Sequence, residues 1–252
     1  MNKTSDRDKM SEELRKYVVE EVMYDLSVLF NNMIQAIKEN EDFTYIRKIC
    51  SAINLLGQKQ YVCWEYLDEK FIDFIFETDD IDKILLEFVE KDEGRSVDSV
   101  ICKCKKDSLM SKYKRIYEQS VESYRNAQYE LAIVGFTSVL DGLLMDVSKK
   151  TDVSIRKRVN SIMNKLCIQI KLENNEIAFI TLAMTFEKAM LIFSQSKSFN
   201  EKEPKTLNRH WIMHGRSIRE KTKLDCIKVI RMVYGMLLIN TMDIEDPPIL
   251  CD

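Results

Sequence analysis

The sequence predicts an all-α protein. Only six Gly and three Pro interrupt its 252 residues, and two of these prolines, Pro247 and Pro248, lie near the C-terminal end. Elsewhere, apolar side chains recur at intervals of three and four, which is the period of an amphipathic helix, whereas strands alternate at every second residue. With 45% hydrophobic residues, the chain can bury a core large enough for one or two helical domains.

The first 94 residues predict three helices. Helical spacing runs through residues 11–40, again through 61–76, and then through 81–90. Residues 95–107 lack a clear helical period, and across them the charge of the chain changes from negative to positive. We therefore predict an acidic helical region of unknown role over 1–94 and a connecting segment over 95–107.

The remainder of the chain predicts a bundle of four or five helices. Two stretches, 132–147 and 176–193, are apolar nearly all round, which is typical of helices at the centre of a bundle. A last helix over 223–241 begins at Thr222 and Asp225, which have the spacing of a capping box. We expect the two apolar stretches to form the core.

The net charge of −3 conceals two halves of opposite sign. Residues 1–94 contain 12 Lys and Arg against 22 Asp and Glu, whereas residues 95–252 contain 26 against 19. This asymmetry indicates either that only the second half meets a polyanion such as RNA, or that the two halves dock on each other. The acidic half is also a candidate surface for a protein regulator.

Cysteine usage and hydropathy indicate a cytoplasmic protein. The charged N-terminal residues lack the apolar stretch of a signal peptide, and no run reaches the roughly 18 uninterrupted apolar residues that cross a bilayer. Seven cysteines, an odd number without any C-x-x-C pair, favour reduced thiols over a disulfide framework. We therefore expect no membrane association.

Both histidines of the chain, His210 and His214, lie in the segment LNRHWIMHGRS at 207–217. Residues at i and i+4 share one face of a helix, so one interpretation is a metal site. A zinc protease, however, requires Glu where this chain has Trp211, and the C-x-C pair of the connecting segment is tighter than zinc-finger pairs. We therefore predict neither a metal nor another cofactor.

A second interpretation of the segment is structural. In this case His210 and His214 are polar residues near a helix end, and Arg209 is a surface cation. The bare spacing of an arginine upstream of a histidine is weak evidence for function, because a chain with many arginines produces it by chance.

A third interpretation follows from the order Arg209, His210, three residues, His214. This order resembles the signature of the HEPN superfamily, in which an arginine and a polar residue precede three residues and a histidine. The resemblance covers residues 108–244 and leaves 245–252 as a C-terminal tail. It implies an up-and-down helical bundle and a homodimer in which two motifs face each other in one composite site. Similar proteins include RNA-cleaving toxins, phage-defence factors and RNase domains of CRISPR effectors.

The resemblance implies a metal-independent endoribonuclease, with His214 as its catalytic histidine, Arg209 as its phosphate-binding arginine and His210 as the polar second position. Asp141, in the apolar stretch SVLDGLL, is a candidate acidic partner for Arg209. Arg216 stands where some toxin relatives carry a tyrosine that an antitoxin modifies, so that control is not expected. The candidate RNA-binding residues are Asn208, Lys205, Arg216 and Arg219, with Lys202, Lys221 and Lys223 nearby.

The residue types suit this chemistry. Cleavage of RNA without a metal requires a group that takes the proton of the ribose 2′-OH and a cation that stabilises the phosphorane. Histidine titrates near neutrality, and the forked donors of arginine match phosphate oxygens. The expected products are a 2′,3′-cyclic phosphate and a 5′-hydroxyl.

Single-stranded loops are the expected substrates, because their backbones adopt the in-line geometry and their bases are free to stack on aromatic side chains. Trp211 is a candidate for such stacking, although core packing is the simpler role for it. The alternative function is a catalytically silent HEPN-like dimer that binds RNA, a nucleotide or a protein partner.

Overall fold

The residues that the computed structural model describes form ten α-helices and no strand, which confirms the all-α prediction. The helix predicted over 11–40 and the tail over 245–252 lie outside these residues. The described residues are 44–65, 67, 69–91, 95–169 and 176–241.

The helices are numbered in chain order, and a 3-10 helix over Ser108–Tyr113 precedes the fifth. They are α1 (Thr44–Gln58), α2 (Glu69–Glu77), α3 (Ile81–Glu90), α4 (Arg95–Lys106), α5 (Lys114–Arg125), α6 (Tyr129–Ser148), α7 (Ile155–Gln169), α8 (Glu176–Phe193), α9 (Arg209–Met213) and α10 (Lys223–Thr241).

Helices α3, α8 and α10 have the bounds that the sequence predicts. At the start of α10, Thr222 and Asp225 form the predicted capping box. The N–H of Thr222 donates to Asp225 Oδ2 at 2.9 Å, and the N–H of Asp225 donates to Thr222 Oγ1 at 3.2 Å. The second of these bonds satisfies an N–H group at the helix start that has no partner within the helix.

Helix α6 is the centre of the bundle and packs against α5, α7, α9 and α10. At Gly142 the contact is especially close, since a Cβ atom there would overlap the ring of Tyr113. Only one side of α6 reaches solvent. We name it the exposed stripe, and its residues recur at intervals of three and four: Leu131, Val134, Ser138, Asp141 and Met145.

The helix predicted over 61–76 is wrong in its first half. Residues 61–65 are not helical, and we name this segment the strap. Its five side chains are all buried, with exposed fractions of 0–6%, so the strap has no polar face to give it a helical period. Its backbone binds side chains instead; for example, the N–H of Cys63 donates to Thr185 Oγ1 at 2.9 Å.

Arg231 of α10 fastens the strap to the bundle. Its Nε donates to the carbonyl of Val62 at 2.7 Å, and its Nη2 donates to both carboxylate oxygens of Glu65 at 2.5–2.6 Å. Its Cζ lies 4.2 Å from the ring centroid of Tyr61 and 3.8 Å from that of Trp64. Burial disfavours the charged form, but the carboxylate of Glu65 outweighs it and raises the pKa of Arg231. The cation is therefore fully paired inside the core.

The prediction that residues 95–107 break the helical pattern is also wrong, because α4 occupies them almost completely. The basic side chains of its last turn suit a helix C-terminus and hide the apolar period. Helix α4 packs on α3 and α10, so the described part of the acidic region shares one hydrophobic cluster with the bundle. The buried residues of α4 are Val97, Val100, Ile101 and Cys104.

By length and composition, α6 is the one helix among the described residues that could cross a membrane. This is weak evidence, because the core helix of a soluble protein has the same properties. Of its apolar window, 56% is buried inside the bundle, in agreement with its central position.

We expect Arg231→Leu to lower the free energy of unfolding by about 3–5 kcal/mol, because the substitution leaves the carboxylate of Glu65 buried without its cation. Urea unfolding followed by circular dichroism measures this change.

Lys223→Leu is the matched control, since it breaks an ion pair with Glu90 in which both side chains are 42% exposed. Exposed pairs contribute little, and we expect a change below about 1 kcal/mol. Similar losses in the two variants would contradict the role assigned to Arg231.

Candidate functional site

Helix α9 carries the motif and begins at a buried cap. Asn208 is 4% exposed, its Oδ1 accepts from the N–H of Trp211 at 3.2 Å, and its Nδ2 donates to the carbonyl of Gln195 at 2.8 Å. An asparagine in this position stabilises the first turn of a helix. Asn208, predicted to bind RNA, is therefore a structural cap whose polar atoms serve the fold.

Helix α9 has only five residues and ends where Gly215 adopts a left-handed conformation, with φ of +61°. The N–H groups of Arg216 and Ser217 both donate to the carbonyl of Trp211, at 2.9 and 3.2 Å. Glycine is favoured at this position because it has no Cβ to strain the turn. His214 is thus the C-terminal cap of α9, and its side chain is exposed.

Gln60, which follows α1, holds the chain just before the motif. Its Nε2 donates to the carbonyl of Leu207 at 2.7 Å, and the N–H of Leu207 donates to Gln60 Oε1 at 2.8 Å. Gln60 is 1% exposed and has φ of +60°, which is uncommon for a residue other than glycine. This amide bridge ties the N-terminal part of the protein to the segment that leads into α9.

Arg209, the first residue of α9, is paired with Asp141 of the exposed stripe. Its Nε donates to the two carboxylate oxygens at 3.0 and 2.7 Å, and its Nη2 lies 2.5 Å from Asp141 Oδ2. The pairing proposed from the sequence is therefore present. Asp141 occupies one edge of the guanidinium, while Nη1 has no partner among the described residues, and 31% of the side chain is exposed.

The two histidines lie side by side beyond Arg209. Their ring centroids are 4.6 Å apart, with the ring planes at 66°. Phe199, from the loop between α8 and α9, stacks on His210 with the centroids 4.5 Å apart and the planes nearly parallel at 3°. Partial burial, followed by the charges of His214 and Arg209, lowers the pKa of His210 below its usual value. The motif thus brings the two imidazoles together, with Arg209 close enough to His210 to influence its pKa.

Trp211 is 6% exposed and packs with its ring 5.3 Å from that of Phe199, so it belongs to the core and is not a stacking platform for RNA bases. The zinc interpretation also gains no support from the position of its thiols. Cys104 is buried and Cys102 is exposed on α4, and among the described residues no group of three or more potential metal ligands occurs.

The charged side chains around the loop after α9 form hydrogen bonds within the protein. Glu203 accepts from the hydroxyl of Ser217 and from the N–H groups of Ile218 and Arg219 at 2.8 and 2.9 Å. Burial opposes ionisation of this carboxyl, but these hydrogen bonds outweigh it and lower the pKa of Glu203. The buried ammonium of Lys221 donates to Ser217 Oγ and to the carbonyl of Arg219.

Several cations that the sequence predicts to contact RNA are therefore already paired. Arg219 donates to both oxygens of Asp225 at 2.8 and 3.2 Å, and Lys223 lies 2.6 Å from Glu90. The three candidate cations that remain exposed without an ion pair among the described residues are Lys202, Lys205 and Arg216.

No protein-family model, no curated protein and no solved structure matches the chain. The function of the site has therefore to be inferred from its own residues and their geometry.

Two residues that shape this site, Phe199 and Gln60, have no counterpart among the sequence predictions. Phe199 lies in a polar loop with no period, and only the fold brings it onto His210. Gln60 is separated from Leu207 by 147 positions in the chain. A single aromatic residue in the loop before the motif is the one signal that would have pointed to Phe199.

We expect Gln60→Ala to lower the free energy of unfolding by about 2–4 kcal/mol, because it leaves the buried N–H and C=O of Leu207 without partners. Gln60→Gly removes the same bonds but relieves the positive φ, so its loss should be smaller by about 1 kcal/mol.

Chemical denaturation of these variants beside Gln119→Ala, a change at an exposed residue of α5, measures the difference. The control should stay within about 0.5 kcal/mol of the unchanged protein. A Gln60→Ala protein as stable as this control would show that the amide bridge does not stabilise the fold.

Proposed function

We propose that the chain is a metal-independent endoribonuclease of HEPN type, active as a homodimer in the cytoplasm. The observation that supports this function best is that one short, well-braced helix begins at Arg209, ends at His214 and brings the imidazoles of His210 and His214 together. Arg209 Nη1 has no partner among the described residues, and His214 is exposed at the end of the same helix. A cation and an imidazole are the groups that RNA cleavage by 2′-OH attack requires.

In this mechanism His214 takes the proton of the ribose 2′-OH, and the oxygen attacks the neighbouring phosphorus. Arg209 donates from its free edge to the phosphorane oxygens, while Asp141 fixes the plane of the guanidinium from the other edge. The 5′-oxygen then takes a proton from the imidazolium of His214 and leaves as a hydroxyl, and a 2′,3′-cyclic phosphate remains. Lys205 and Arg216 contact flanking phosphates.

The proposed dimer buries the exposed stripe of α6 against a second copy. Leu131, Val134 and Met145 are 64%, 43% and 38% exposed, although α6 is otherwise a core helix. Asp141, in the same stripe, carries a charge that Arg209 neutralises, so the stripe offers little repulsion to a copy of itself. A two-fold axis through this stripe would bring the two motifs together.

The second candidate function is a silent HEPN-like dimer that binds RNA, a nucleotide or a protein without cleavage. The observation that favours it is that Asp141 already binds Arg209 Nε and Nη2. These donors are therefore not available to a phosphate. Under either function, the acidic N-terminal half is the proposed docking surface for a regulator, and the proposed biological role is toxicity or phage defence.

We expect the purified protein to cleave cellular RNA in EDTA and to leave 2′,3′-cyclic phosphate ends. His214→Ala and Arg209→Ala should each lower the cleavage rate by at least about a hundredfold, because each removes a group that stabilises the transition state. End-group analysis and gel assays of total RNA provide the measurement.

The matched control is Lys70→Ala, which changes an exposed cation of α2 far along the chain from the motif and should cleave as the unchanged protein does. Circular dichroism establishes that each variant is folded. RNA binding without cleavage, by a folded dimer, would favour the silent module instead.

We expect Val134→Arg to convert the dimer into a monomer and to abolish cleavage, since it places an unpaired charge in the middle of the interface. Sedimentation velocity and the RNA assay measure the two effects.

Phe76→Arg is the control for the dimer, because Phe76 is similarly exposed, at 46%, but lies on α2. It should leave both the assembly and the cleavage rate unchanged. A monomeric, active protein would contradict the proposed composite site.

A further inference from the structure

Phe199 is the point at which the rings of the site meet. Besides its stack on His210, its ring centroid lies 5.3 Å from that of Trp211 and 5.7 Å from that of His214, both at steep angles. The guanidinium carbon of Arg216 lies 5.3 Å from the same ring centroid. One half-buried side chain thus contacts four residues of the motif segment.

The backbone around Phe199 is ordered by local hydrogen bonds. The N–H of Glu201 donates to the carbonyl of Ser198 at 3.2 Å, and the N–H of Asn200 donates to Ser198 Oγ at 3.2 Å. The same loop is tied to the start of α9, since Asn208 Nδ2 binds the carbonyl of Gln195. Phe199 is therefore presented to α9 from a turn that is connected to the helix cap.

Stacking on Phe199 restricts the plane of His210. A histidine on the first turn of a short helix would otherwise sample several rotamers, because its side chain has two free torsions. The near-parallel stack restricts this freedom, and the imidazole of His214 lies at 66° to the ring that is held in this way. Edge-to-face and stacked contacts of this kind stabilise a fixed ring geometry.

The surroundings of His210 also disfavour a second positive charge. The charged or titratable groups near it are Arg209 of α9, His214 at the end of α9 and Arg216 across Phe199, while Asp141 on α6 is bound by Arg209. The apolar ring of Phe199 covers one face of the imidazole and excludes water from it. Burial is the first cause of the lowered pKa of His210, and its electrostatic interactions with His214 and Arg209 add to it.

We propose that Phe199 is a positioning residue that fixes the plane of the His210 imidazole and covers one of its faces, so that His214 is the group that exchanges the proton of the reaction. His210 then acts as a hydrogen-bonding group toward the substrate. Two adjacent titratable groups in different environments commonly divide roles in this way. The kinetic part of this inference depends on the proposed ribonuclease function, whereas the effect of Phe199 on His210 does not.

The decisive variant is Phe199→Leu, which removes the aromatic face and keeps an apolar side chain. The chain has two histidines, both in the motif, so NMR titration of the imidazole signals in RNA-free protein is unambiguous once His214→Gln assigns them. We expect the titration midpoint of His210 to lie below about 6.5 in the unchanged protein and to rise toward that value in Phe199→Leu. Phe199→Tyr should restore the original midpoint.

Phe88→Leu is the matched control, because Phe88 is another partly buried ring in an edge-to-face pair, with its centroid 5.4 Å from that of Phe71. It makes the same chemical change away from the motif and should leave the titration of His210 unaltered. If Phe199→Leu does not fold, Phe199→Met, which is unbranched and of similar volume, replaces it.

Kinetics on RNA test the positioning role. Phe199→Leu should lower kcat by about tenfold with little change in KM and should move the acid limb of the pH profile, while Phe199→Tyr retains both. An unchanged midpoint and an unchanged pH profile in Phe199→Leu would overturn the inference and reduce Phe199 to packing. If the unchanged protein cleaves no RNA, the proposed function fails, and the NMR titration still decides whether Phe199 controls His210.

Discussion

The buried cation of Arg231 is the interaction on which the described structure depends. It binds the backbone of the strap, the carboxylate of Glu65 and the faces of two aromatic rings, all within the core. The strap follows directly after Gln60, whose side-chain amide binds the backbone of Leu207, two residues before α9. A buried ion pair in the core and the geometry of an exposed motif are thus linked through a few consecutive residues of the chain.

Most charged side chains around the site are bound to groups of opposite charge or to backbone N–H groups. Asp141 takes one edge of Arg209, Glu203 organises the loop after α9, and Asp225 binds Arg219 while it caps α10. A basic sequence therefore becomes a surface with few free cations. Of those that remain, Arg216 lies with its guanidinium carbon 5.3 Å from the centroid of Phe199, the ring that also contacts both imidazoles.

The sequence was most informative where a helix has a clear apolar period, a long apolar run or a capping box, as in α3, α8 and α10 respectively. The closeness of His210 to His214 follows from their spacing of four residues. The sequence was least informative for the short buried strap and for α4, where charges mask the period. The stack of Phe199 and the bridge from Gln60 depend on contacts between distant parts of the chain, which no local pattern encodes.

The connection between the strap and α10 has a consequence for the order of synthesis. Glu65 and Arg231 are separated by 166 positions, and Gln60 and Leu207 by 147. The ribosome releases residues 209–214 before it releases Arg231, the residue that binds the strap. We expect the nascent chain to hold the motif in an unbraced form until α10 emerges, so that the assembled site is a property of the finished polypeptide and not of the growing one.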